Sequence, residues 1–119
     1  MTKVNLAEKL SLFDALWTPK RVGRINDTDV KLVKVKGEFV WHHHDHEDEL
    51  FLVIKGRLLM QFRDHEEWIE EGEFIIVPRG IEHRPVAPEE VHLMLIEPAT
   101  TLNTGNVVNE RTVEVVEAL

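Results

Sequence analysis

The chain has 119 residues, a formal net charge of −8 and no cysteine. That length bounds it to one domain, the acidic balance disfavours a phosphate-backbone partner, and the missing thiols exclude a disulfide framework and leave only N and O ligands for any metal. Apolar and charged contents of 43% and 30% belong to a globular chain, and no apolar run approaches the roughly 18–20 residues of a membrane span. The opening M-T-K-V-N-L-A-E-K-L carries no signal-like apolar stretch. The expectation is a single domain over 1–119, soluble and cytoplasmic, with neither nucleic acid nor membrane as partner.

Asn5-Leu-Ala-Glu8 has the form of a capping box, with Asn5 as N-cap and Glu8 closing it. Leu6, Leu10 and Phe13 recur near helical spacing, which predicts a short amphipathic helix over 6–13 before Thr18-Pro19. Trp17 reads as a packing anchor or, alternatively, as lining a pocket mouth. Segments 21–25 and 29–36 read as strands around an Asn26-Asp27 turn, the second with Val30, Leu32 and Val33 or Val35 alternating with lysines. Gly37 interrupts that pattern, and 38–44 reads as the next strand. Further strands are expected at 50–54, 57–63, 68–70, 74–77 and 91–97, with Gly56 as a turn and 64–67 as a polar hairpin tip. Short strands with Gly, Pro and Asp between them argue an all-β barrel or jelly roll, its core spanning about 28–98. After Pro98 the chain turns to loop chemistry, A-T-T-L-N-T-G-N. The tail, 99–119, closes on R-T-V-E-V-V-E-A-L, which admits an edge strand or a short helix.

The densest chemistry lies in W-H-H-H-D-H-E-D-E-L-F-L-V-I-K-G, from Trp41 to Gly56, which holds four of the seven histidines. Alternate side chains of a strand share a face, so His42 and His44 project together and His43 projects away. Glu49 lies at an odd offset from His44; a polar turn at Asp45-His46-Glu47-Asp48 restores it to the same side, with Phe51 and Val53 following on its face. Two imidazoles and a carboxylate then look at one point. Downstream, Phe74 to Val77 runs into Pro78-Arg79-Gly80, a tight turn because Pro fixes φ and Gly accepts φ > 0. His83 follows, placed to return beside the first cluster as a fourth group. His46 is a candidate for orienting a ligand or touching substrate, Arg79 and Arg84 for holding an anion, and Phe51, Met60, Phe62 and Met94 for lining an inner wall. His43 and His65 read as surface or packing residues, and His92 as either structural or lining the cavity.

These two segments resemble the paired motifs of a small single-domain cupin. The first motif matches at Gly37, His42, His44, Glu49 and Gly56, and the second at Gly72, Pro78, Gly80 and His83. Two departures stand out: four residues separate Gly37 from His42 where the family often has five, and Ala87 replaces a terminal Asn. The resemblance implies an all-β double-stranded β-helix, the cupin jelly-roll barrel, with the short N-terminal helix appended. It also implies metal ligation by His42, His44, Glu49 and His83, and a homodimer. Three neutral imidazoles and one carboxylate would leave a divalent ion (zinc, iron, manganese or nickel) with open positions, the pattern of a working site. The expected function is that of a metal-binding cupin, acting as an isomerase, lyase or dioxygenase on a small polar metabolite (sugar, sugar acid or carbonyl compound) through Lewis-acid or O2 chemistry. The alternative is a non-catalytic small-molecule or metal-binding module.

Overall fold

The computed structural model describes residues 1–119. Its one helix, α1 (Leu6–Leu10), is capped by Asn5, whose side-chain oxygen accepts from the Glu8 N–H at 2.9 Å. It ends at Ser11, short of the predicted 6–13, because Ser11 turns its own N–H and hydroxyl back onto the last carbonyls. The strands are β1 (Lys20–Ile25), β2 (Thr28–Glu38), β3 (Glu49–Lys55), β4 (Leu58–Phe62), β5 (Glu66–Ile69), β6 (Phe74–Val77), β7 (His83–Pro98) and β8 (Glu117–Ala118). No helix is long and apolar enough to cross a membrane.

Two long strands organise the barrel. β2 pairs antiparallel with β7 from Thr28↔Pro98 to Glu38↔Val86. The end of β7 also pairs with β3, at Leu50↔Ile96 to Lys55↔His92, and its beginning with β4, at Leu59↔Val86 to Phe62↔His83. β7 therefore serves two walls, and the exposed Pro88-Glu89-Glu90 marks its passage between them. β2 follows the same corner through a register shift between Val35 and Gly37. Gly37 takes φ +87°, open to glycine at little cost, so the predicted interruption is a bend inside a continuing strand. The outer strands β6 and β5 pair with β3 and β4, and β1 lies beside β2 with the two-residue β8 on its far edge.

Inward side chains from every second position fill the interior. Val33 and Val35 of β2, Phe51 and Val53 of β3, Leu58 and Met60 of β4, and Val91, Leu93 and Leu95 of β7 form the core with Ile69, Val77 and Ala87. Each such side chain contributes roughly 1.5–3 kcal/mol by leaving water. The lysines of β2 depart from the expected exposed alternation, since Lys31 and Lys34 are both buried. Apolar residues occupy both parities of β2, and both of its faces are covered. Lys34 lies outside the barrel and donates to the Phe13 carbonyl at 2.6 Å, under the N-terminal segment. Lys31 lies inside.

Candidate metal centre

The strand expected over 38–44 stops at Glu38, where β2 ends, and 39–48 is almost free of strand structure, with the polar turn falling at 45–48. The one strand-like contact it makes falls where the chemistry needs it. His42 sits opposite His83 in an isolated antiparallel bridge. Each donates its N–H to the other's carbonyl, at 3.1 and 2.9 Å. Directly opposed residues send their side chains to the same face, and the two imidazole centroids lie 4.3 Å apart. His44, two residues on, keeps the same face, with its ring 5.1 Å from that of His42. Glu49 opens β3, its Oε1 3.2 Å from His44 Nε2 and 3.6 Å from His83 Nε2. The donor atoms of His42, His44, Glu49 and His83 all lie within 4.8 Å of one another, and all four residues are buried.

Protonation follows from the hydrogen bonds. His42 Nδ1 lies 2.9 Å from the Val40 carbonyl, and His83 Nδ1 2.9 Å from that of Ile81. A carbonyl can only accept, so both Nδ1 atoms carry a proton, and in the neutral ring it is Nε2 that presents the lone pair. Burial, followed by the neighbouring His83, pushes His42 down to about 4, which keeps it neutral near pH 7. Burial alone would raise Glu49, but its contacts with Glu97, His44 and His83 outweigh that and hold it well below the usual carboxylate range. A neutral imidazole and an ionised carboxylate are the forms that bind a metal. Furthermore, His44 Nε2, His83 Nε2 and Glu49 Oε1 are buried with no hydrogen-bond partner. Orphaned buried polar atoms are rare and costly, and one cation among these three would satisfy all of them. The donor set fits a divalent ion.

The surroundings clamp this geometry. The Gly80 N–H donates to the His44 carbonyl at 2.8 Å, tying the turn before His83 to the first motif. Arg79 reinforces the tie with its backbone N–H and guanidinium, both on the Asp48 carboxylate. From the other side the C-terminal loop grips His43. Its N–H donates to Asn106 Oδ1 at 2.8 Å, and its carbonyl accepts from the Asn106 N–H at 3.0 Å. Gly105 makes that approach possible, because a Cβ there would lie 2.2 Å from the His43 oxygen.

A cavity of about 440 Å³, counting the solvent at its mouth, reaches His42 and Glu49. Trp17, Phe39, Phe51, Leu93 and Leu95 supply its apolar wall. Trp17 stacks on Phe39 with centroids 4.7 Å apart. Of the other expected wall residues, Phe51 lines the cavity, Met60 lies deeper in the core, and Phe62 stacks on His65 at the hairpin tip. Met94 has the opposite parity to the inward Leu93 and Leu95 and lies on the outer face. Arg79 is engaged by Asp48, and Arg84 by Gln61 and Glu38, so neither projects a free guanidinium toward the centre. His43 turns away to Asp45 as the parity argument requires. His46 is exposed and lines an outer depression that also touches Glu49 and Glu97.

Two residues of the site escaped the sequence reading. Glu97 is 2% exposed and lines the cavity beside Glu49. Lys31, equally buried, holds Glu97 Oε1 with its Nζ at 2.8 Å. Burial, then the charge of Glu49, raises Glu97 well above the usual carboxylate range, with Lys31 opposing. Strand phase could have found Glu97, which is in step with Val91, Leu93 and Leu95; it leaves Lys31 open, because both parities of β2 are apolar.

A jelly-roll barrel with three histidines and a glutamate gathered inside defines a cupin. Residues 30–97 match the family described as "Cupin domain". The chain belongs to the cupin family. It is similar to a cupin-2 domain-containing protein from Shewanella frigidimarina, whose crystal structure superposes with a TM-score of 0.79 at 46% identity, over 80% of this chain and 93% of that one. Protein NMB1881 from Neisseria meningitidis superposes with a TM-score of 0.75 at 31% identity, covering 82% and 99% of the two chains. Protein YdbB of Bacillus subtilis is 39% identical over 64 residues, a match that spans 53% of this chain and 57% of YdbB.

Proposed function

We propose that this protein is a metal-dependent cupin enzyme that acts on a small polar metabolite, with His42, His44, Glu49 and His83 holding a divalent ion. The observation that carries this reading is the set of three buried, partnerless donor atoms, His44 Nε2, His83 Nε2 and Glu49 Oε1, that face one another. Bound there, the ion would supply a Lewis acid that polarises a carbonyl oxygen.

The chain's own residues would do the rest. His42 and His83 keep their Nδ1 protons on carbonyls, so each offers only Nε2 to the centre. The Trp17–Phe39 stack and Phe51 exclude water from the approach, which strengthens polar interactions within. The cavity wall is mainly apolar, with His42, Glu49 and Glu97 among its few polar groups. A compact substrate with one chelating or carbonyl end fits that shape; a sugar, sugar acid or small carbonyl compound is the class proposed.

The test begins with the elemental content of purified protein. Screening for turnover of sugar acids, 1,3-diketones and thiol acids follows, with zinc, iron, manganese or nickel restored. Near-stoichiometric metal with turnover in one series is the expected result. Retained metal with no turnover would leave a binding module, and absence of metal affinity would remove the reading altogether.

A homodimer is proposed as the working unit. Two rows of apolar side chains cross the outer face in register: Ile76, Leu50, Ile96 and Val30, and then Phe74, Leu52, Met94 and Leu32. Phe74 and Ile76 are 59% and 52% exposed, and a second copy of this face would cover them. Sedimentation equilibrium of Phe74→Lys/Ile76→Lys should report a monomer if the face pairs.

A further inference from the structure

A fourth buried polar atom lacks a partner beside the three at the centre. It is Glu97 Oε2. Its carboxylate is held on the other oxygen by Lys31 at 2.8 Å, with both side chains 2% exposed. We infer that the Lys31–Glu97 pair is a positioning element of the centre, fixing the Glu49 carboxylate so that Oε1 faces His44 and His83; this rests on the metal-centre reading above.

Three observations carry the inference. First, a buried ion pair gives no stability that a well-packed apolar pair of similar size would not give as well or better. Lys31 and Glu97 occupy inward positions in step with Val33, Val35, Leu93 and Leu95, where apolar side chains would simply extend the core. Second, the pair is not remote. The Leu50↔Ile96 pairing puts Glu49 and Glu97 at the next facing positions of β3 and β7, and the two carboxylates line the same cavity. Third, the charges need each other. Two carboxylates side by side out of water repel strongly at low dielectric. Lys31 Nζ, 2.8 Å from Glu97 Oε1, counters that repulsion. β2, β3 and β7 are adjacent here, through Asp29↔Glu97 and Leu50↔Ile96, so the pair braces the start of β3 from across the sheet. Lys31 and Glu97 are positioning residues: they act through Glu49.

The experiment separates positioning from simple core stability. Metal-stripped full-length protein is titrated with Zn²⁺ by calorimetry and with Co²⁺ by visible absorption, and the Tm of each stripped variant is measured. Lys31→Met/Glu97→Leu removes both charges together. Its stripped form is expected to melt at or above the wild-type temperature, while its Zn²⁺ affinity falls about 10–100-fold, the usual effect of losing a group that orients a ligand. The isosteric Glu97→Gln is expected to weaken Zn²⁺ in the same direction and to alter the Co²⁺ d–d bands; it decides the matter if the double variant fails to fold. Zn²⁺ affinity within about twofold of wild type, with unchanged Co²⁺ bands, overturns the inference, whatever happens to Tm. Wild-type protein that binds neither ion overturns the metal-centre reading as well, whereas wild-type binding with undiminished variants overturns the positioning role alone.

Discussion

Along β2, Asp29 and Lys31 enter the barrel at one end and Val33 and Val35 at the other; along β3 the same division separates Glu49 from Phe51 and Val53, and along the second half of β7 it separates Glu97 from Val91, Leu93 and Leu95. The two ends share strands, parity and burial. In the apolar end, burial itself supplies the free energy, and any side chain of suitable volume is tolerated at modest cost. In the polar end, burial is a penalty that hydrogen bonds and ion pairs must offset, and it leaves four atoms without partners. A strand that is hydrophobic for stability thus turns polar over the one or two inward positions at one end. That switch locates the chemistry more sharply than overall composition does.

The largest effect expected from breaking the comparison lies at the apolar end. Leu93→Ala should cost about 2–5 kcal/mol in denaturant unfolding, while metal affinity per folded molecule stays near wild type. If affinity falls as well, the two ends are mechanically coupled and the division is too sharp.

A comparable effect is expected from pH at the polar end. His42 titrates at about 4 in the folded protein against 6.5 in the unfolded chain. The unfolded state therefore binds more protons between those values, and stability falls as pH drops through that window. For metal-free protein the loss is on the order of 3 kcal/mol. His42→Gln should flatten the profile of Tm against pH over the same range, and an unchanged slope would place the titration elsewhere.

A smaller change sharpens the boundary. Gly105 has φ +57° and lies against the His43 carbonyl. Gly105→Ala should lower Tm and weaken Zn²⁺ binding, because the loop must withdraw from the segment that carries His42 and His44. Asn106→Ala, which removes one side-chain hydrogen bond, should act in the same direction by about 1 kcal/mol. Smallest of all, His43→Ala should change stability by no more than about 0.5 kcal/mol and leave Zn²⁺ occupancy near wild type. If His43→Ala strips the metal and His42→Ala does not, the face assignment fails.

Much of this architecture is legible in one dimension. The expected strands at 74–77 and 91–97 and the Asn26-Asp27 turn all appear, because strand propensity and turn chemistry are local properties. So is the meeting of His42 with His44, which needs only pleat geometry. Segment 38–44 was misread because its β-like composition serves a bridge of one residue, braced by the C-terminal loop and the 78–83 turn. The spacing carries the expected helix to Phe13, whereas Ser11 closes it after Leu10.

By itself, then, the chain specified an all-β barrel and named His42, His44, Glu49 and His83 as one group, since turn chemistry and strand parity are written into neighbouring residues. Only the tertiary structure decided that Lys31 lies inside with Glu97. Its neighbours on both parities are apolar, and which face of β2 meets the interior depends on strands more than fifty residues away. The same holds for the protonation of His42 and His83: their partners are carbonyls, which leave no trace in side-chain identity.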